Sequence, residues 1–229
     1  FVAKNMEIIK NYILISFILI FCSCSMLDPN SNERQLLDNL VKKNQKNDIK
    51  IFKPEMFDNL NYPIIEVRTN SDIIQLLMLP LATKNDNDYF FSGSGQSLIL
   101  QKGIIVTTNG MNIDLLSLNT KPSFIHTNGN LETINNTKLI KEYQFLNPLN
   151  GIDKYTFNCR INFIGKENIN IMEKENIFNL LKEKCVFQGK KENLSFSNKY
   201  WLNDQNTIIK SIQWFSPKNI YIETLLLKE

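Results

Sequence analysis

The sequence predicts a mainly all-β chain: a large curved antiparallel meander sheet or partly open barrel, with one N-terminal helix. Three observations predict it. Short runs of alternating or β-branched apolar residues follow one another from residue 62 to residue 227. Glycines and short polar stretches separate them at turn spacing. Only residues 31–44 carry a helical repeat of apolar side chains. Ten or more strands with short turns and one helix fit a meander that curls on itself.

The N-terminal segment is read separately. Residues 12–21 read YILISFILIF, ten residues without a charge, behind Lys10. As a helix such a run spans about 15 Å, half of a bilayer core of roughly 30 Å. That is the pattern of a signal-peptide core, not of a spanning helix. Phe21-Cys22-Ser23-Cys24 follows and resembles the lipobox of bacterial lipoproteins, with Ser23 directly before the cysteine that takes lipid. Phe21 stands where Leu is usual. The expectation is a leader over residues 1–23, lipidation at Cys24, and a single periplasm-exposed domain over residues 24–229. Ser25, rather than Asp, follows Cys24 and favours the outer membrane. Stable anchoring takes more than one acyl chain, which a lipoprotein N-terminus supplies.

Residues 28–32 read as a polar tether. In the helix that follows, Ser31 is placed to cap, Leu36, Leu37, Leu40 and Val41 recur at helical spacing, and Lys42 and Lys43 suit the C-terminal end. Strands are then expected over residues 62–69 and 72–83, with Pro80 marking an edge or a bulge. Gly93, Gly95 and Gly103 separate strands over 89–92, 96–101 and 104–108. Residues 121–136 are polar, contain Pro122 and Gly129, and read as a loop or irregular insert. Strands over 141–146, 154–165, 169–173 and 178–188 follow, and 195–203, 207–214 and 221–227 close the chain.

Two cysteines remain beyond the lipobox. Cys159 lies in an alternation with Tyr155, Phe157, Ile161 and Phe163, so it sits on the apolar face of a strand, and Cys185 shares a face with Phe187. An even pair in an oxidising compartment reads as a disulfide. Closing that loop contributes roughly 3–4 kcal/mol in the chain-entropy picture.

Composition narrows the function. With 43% hydrophobic and 21% charged residues the chain is neither disordered nor a polytopic membrane protein. A net charge of +3 is too small to suggest a nucleic-acid partner. The single histidine, His126, argues against chemistry needing two imidazoles. The 32 asparagines read as compositional bias, not as a site.

Three stretches carry a family resemblance. Residues 94–117 read SGQSLILQKGIIVTTNGMNIDLLS, residues 198–201 read NKYW, and residues 211–214 read SIQW with Pro217 beyond. Together they resemble the YjbF-type, group 4 capsule polysaccharide (GfcB-like) outer-membrane lipoproteins, whose pattern also has a lipobox and a cysteine where Cys185 stands. Ile212 replaces that family's arginine, removing a charged contact, and Asn112 replaces a usual glycine. The resemblance implies an accessory role in exopolysaccharide or capsule production beside export proteins, at the periplasmic face of the outer membrane. It implies no particular chemistry.

Residues that could contact a glycan or a partner protein are Gln96, Asp114, Tyr200, Trp201, Gln213 and Trp214. Amides and carboxylates bond sugar hydroxyls and aromatic faces stack on sugar rings; turn geometry and core packing explain the same residues without a ligand. Alternation would put Gln213 on the face opposite Trp214. No catalytic set, metal or cofactor is expected. Ser92-Gly93-Ser94-Gly95 lacks the spacing of a nucleophile elbow. Glu173 and Glu175 lie on one element rather than across a cleft, and Asp86 and Asp88 lack a calcium loop. The competing readings are a carrier of a lipid or other hydrophobic ligand and, third, a polysaccharide-modifying enzyme.

Overall fold

The computed structural model describes residues 55–228 except 56, 58, 71–74, 112, 123–130, 148, 150 and 190–193. The expected N-terminal helix, Cys24 and His126 lie outside the described residues.

Twelve strands make one antiparallel sheet. They are β1 (Ile64–Thr69), β2 (Gln75–Lys84), β3 (Asn87–Ser92), β4 (Ser97–Gln101), β5 (Ile104–Asn109) and β6 (Leu115–Lys121), then β7 (Thr137–Leu146), β8 (Ile152–Ile171), β9 (Lys174–Phe187), β10 (Ser195–Leu202), β11 (Ile208–Ser216) and β12 (Ile220–Lys228). Their order in the sheet is β5-β4-β3-β2-β1-β12-β11-β10-β9-β8-β7-β6. Each strand thus pairs with its neighbours in the chain, except across β5 and β6, and β1 pairs with β12. The strands at the two sheet edges, β5 and β6, are themselves consecutive. Side chains bridge them: Leu115 N–H donates to Thr108 Oγ1 at 3.0 Å, and Thr107 Oγ1 donates to Leu116 O at 3.4 Å. The sheet is therefore a nearly closed, barrel-like meander. Closure removes the free edges that an open sheet exposes to pairing with other chains.

The expected strands are present, with three differences. Residues 154–165 and 169–171 belong to one strand, β8, because the register shift between Phe163 and Gly165 bends the ladder without ending it, and residues 172–173 form the turn into β9; Gly165 adopts a φ of 135°. β6 was not expected. Its sequence, LLSLNTK, lacks an apolar alternation, and only its first residue is buried; its place along the seam makes it a strand. Within the expected irregular segment, Leu131–Ile134 forms a 3-10 turn that buries Ile134. Pro80 stands at a register shift between β2 and β3, as its missing N–H requires.

The interior is filled by inward side chains. Tyr143, Phe145, Phe157, Phe196, Trp214 and Phe215 form an aromatic group in which Phe196 and Trp214 stack at 4.4 Å and Tyr143 meets Trp214 edge-on at 5.0 Å. Such offset and edge-on pairs contribute beyond the area they bury. A second cluster, Phe178, Trp201 and Ile209, packs with Ile169, Ile171 and Ile212.

Candidate functional site

Asn198, Tyr200 and Trp214, from the second and third motifs, converge inside the sheet. At the centre lies Glu183 of β9. Its Oε2 accepts hydrogen bonds from Lys141 Nζ at 2.8 Å, Asn198 Nδ2 at 2.6 Å and Tyr200 OH at 2.9 Å. Lys141 Nζ also donates to Tyr200 OH at 3.2 Å. The Lys141 and Glu183 side chains are 1% and 0% exposed. Asn198 Oδ1 accepts from Trp214 N–H at 2.7 Å, tying β10 to β11. Burial first, and the Glu183 charge second, push the Tyr143 and Tyr200 phenols well above their usual range, against a weaker opposing hydrogen bond from Asn198. Both therefore stay protonated in the folded chain, and Tyr200 serves as a hydrogen-bond donor rather than a nucleophile.

Lys141 and Glu183 were not singled out from sequence. A signal exists: each is a charged residue on an apolar strand face, Lys141 between Leu139 and Tyr143, Glu183 between Leu181 and Cys185. A buried charge requires a partner, so two such residues call for each other.

Cys159 and Cys185 face one another directly in the β8–β9 ladder, both buried, and are joined as a disulfide. A Glu183 carboxylate oxygen lies within 4.8 Å of both sulfurs. That trio is close enough to hold a metal, but its sulfurs are bonded to each other and its carboxylate is engaged by Lys141, Asn198 and Tyr200.

The other expected contact residues take up internal roles. Gln213 is 3% exposed. Its Oε1 accepts from Ile105 N–H at 3.1 Å, and its Nε2 donates to Gly103 O at 3.0 Å and to Ser211 Oγ at 2.8 Å. It thus bonds β11 to the β4–β5 hairpin, which is no sheet neighbour. Gly103, at a φ of 83°, packs on Ile208 so closely that an added Cβ would lie 2.6 Å from the Ile208 Cβ. The register shift between Trp214 and Ser216 places two consecutive side chains, Trp214 and Phe215, in the core cluster, where simple alternation would separate them. Trp201 lies outside that core: its Nε1 donates to Glu167 Oε2 at 3.0 Å, and Lys199 and Lys210 sit over its ring at 5.8 and 5.2 Å. Gln96 accepts from Ser92 Oγ and Ser94 Oγ at 2.6 Å each, and Asp114 Oδ1 accepts from Met111 N–H at 3.0 Å, so both organise turns. Ile212 packs against the second cluster in place of a charged contact.

The family model for "Group 4 capsule polysaccharide lipoprotein gfcB, YjbF" matches residues 35–227. The chain belongs to the YjbF family. This YjbF-family chain is thereby a lipoprotein related to capsule polysaccharide, and membership of a lipoprotein family implies membrane anchorage. Among solved structures, it is similar to the hypothetical lipoprotein YmcC from Escherichia coli (K12), at 15% identity and a TM-score of 0.66 over 89% of this chain and 98% of that one. That likeness concerns the fold. A candidate lipoprotein from Parabacteroides distasonis ATCC 8503 aligns at 10% identity and a TM-score of 0.35, over 72% of this chain and 92% of that one. No curated protein sequence matches.

Proposed function

We propose that this chain is an outer-membrane lipoprotein, anchored through Cys24 and facing the periplasm, that acts as a non-enzymatic accessory factor in capsule or exopolysaccharide production. The observation that carries the reading is the fate of the motif residues. Asn198, Tyr200 and the Trp214 backbone, with Glu183 and Lys141, spend hydrogen bonds on each other inside the sheet, and Gln213 spends its own on Ser211 and the β4–β5 hairpin. Groups committed in this way build a fold and are not held free for substrate. The family description supplies the polysaccharide context. Partner export proteins would meet the outer surface.

The carrier reading gains less support, because the inward face that would line a lipid site is packed with aromatic side chains. Deletion of the gene tests the proposal: extracellular polysaccharide falls and is restored by the wild-type chain. Unchanged polysaccharide after deletion refutes it. Restoration by the wild-type chain but not by Cys24→Ala, at equal protein level, ties the role to the lipid anchor.

A further inference from the structure

On the outer face of β7, β8 and β9, three cations stand in one cross-strand row. Lys138 pairs in register with Arg160, and Arg160 with Lys184. All three are exposed. Side chains directly opposite one another across a ladder interact, and like charges there are destabilising. Lys210, by contrast, is neutralised by Glu223 at 2.8 Å; Lys182 and Lys199 also stand directly opposite each other, but as a pair rather than a row of three. Among the described residues no carboxylate lies within ion-pair distance of Lys138, Arg160 or Lys184.

The row crosses a groove of about 840 Å3 in which no acid is among the described lining residues. Asn136, Asn158 and Asn162 line it beside the cations. Lys121 lies at its margin, 3.9 Å from Glu142. The volume falls within the span of small-molecule sites, about 300–1,000 Å3. Asparagine amides offer donors and acceptors suited to hydroxyl groups, and cations suit carboxylates. The outward direction of the row follows from alternation: Leu139, Cys159 and Cys185, one residue away on each strand, point into the core.

We propose that this groove binds a segment of acidic polysaccharide, with Lys138, Arg160 and Lys184 meeting successive sugar carboxylates and the asparagines meeting hydroxyls. The inference deepens the accessory reading above and rests on it. Charge complementarity selects an anion, and a groove that sets asparagine amides among the apolar Pro122, Ile140 and Val186 suits the mixed polar and apolar faces of a sugar chain over a flat bilayer surface. The unneutralised row costs the fold some stability in the free protein and gains it back when an anion is bound.

The test uses the full-length chain in detergent, with polygalacturonate oligomers, neutral dextran and phosphatidylglycerol vesicles as probes. Polygalacturonate binds, dextran does not, and added salt weakens the binding. The triple variant K138Q/R160Q/K184Q binds polygalacturonate about tenfold or more weakly, while K84Q/K166Q/K218Q, which removes the same charge elsewhere, binds as the parent does. Circular dichroism and unfolding midpoints confirm that both variants fold. Equal weakening by the two variants, no effect of the first, or binding to vesicles without binding to polygalacturonate would each overturn the proposal. In cells the two readings separate. If deletion lowers polysaccharide and the triple variant restores it fully, the groove is wrong and the accessory role stands.

Discussion

Lys141 Nζ lies 2.8 Å from Glu183 Oε2 across the intervening strand β8, in the centre of the sheet interior. The two residues are 42 positions apart in sequence. Taking both charges out of water is costly, and the cost is offset by their mutual attraction and by the Asn198 and Tyr200 hydrogen bonds. Removing one partner leaves the other charged and buried. Lys141→Met and Glu183→Leu should each destabilise by about 3–5 kcal/mol, while the double variant should lose much less than the sum. Urea unfolding of the four proteins closes the cycle; additive losses would show that the pair is not coupled.

Tyr143 and Tyr200 set the alkaline limit. Their phenols are raised in the folded chain, so the folded state holds protons that the unfolded state releases above about pH 10. The sign is that of a raised group: its contribution is intact below pH 10 and falls as pH climbs from there towards the folded-state values. Stability should drop by about 1.4 kcal/mol per pH unit for each proton withheld. Absorbance at the tyrosinate band should show a fraction of the 7 tyrosines ionising only together with unfolding. Smooth ionisation of all of them in a folded chain would contradict this.

The Gln213 bridge holds the β4–β5 hairpin to β11. Gln213→Ala leaves the buried Ile105 N–H without its acceptor and should cost about 1–3 kcal/mol. Hydrogen exchange at Ile105 should rise more than exchange in β8 or β9. Gly103→Ala should cost a similar amount through its positive φ and its contact with Ile208. Ile208→Ala should not rescue it, because the crowding atom is the Ile208 Cβ, which alanine keeps.

The β5–β6 seam depends on a hydroxyl. Thr108→Val preserves shape but removes the acceptor for Leu115 N–H. A loss of about 1–3 kcal/mol is expected, with faster exchange confined to the seam. Exchange at Leu115 equal to the parent's would mean that the seam is held by other contacts.

Reducing the Cys159–Cys185 bond, or replacing both cysteines by alanine, should cost roughly 3–4 kcal/mol, from the 26-residue separation it closes. The measurement is the shift in unfolding midpoint at matched slope.

Much of this was legible in the sequence because strand faces are a local property. Alternation around Phe157 and Ile161 placed Cys159 inward, and the same logic found most strands at nearly their final limits. It failed where an extra residue interrupts the period. At Trp214 a register shift turns two consecutive side chains inward, and at Gly165 a bend mimics a break. β6 leaves no local imprint because its neighbours, not its own apolar content, hold it. Lys141 and Glu183 were visible only as charges on apolar faces, without any mark of which charge belongs to which.

Local sequence alone established that the chain is a β meander, which cysteines face the core, which motifs it shares with the YjbF family, and that residues 21–24 resemble a lipobox. The tertiary structure decided the rest: that β12 returns to β1, that β5 and β6 meet at a seam, that Gln213 reaches Gly103 across 110 positions, and that three cations line up across β7, β8 and β9. The physical reason is the range of each effect. Backbone alternation and turn chemistry act over a few residues and leave a local imprint. Closure, register between distant strands and the pairing of buried charges depend on which surfaces meet, and that is set only when the whole sheet curls.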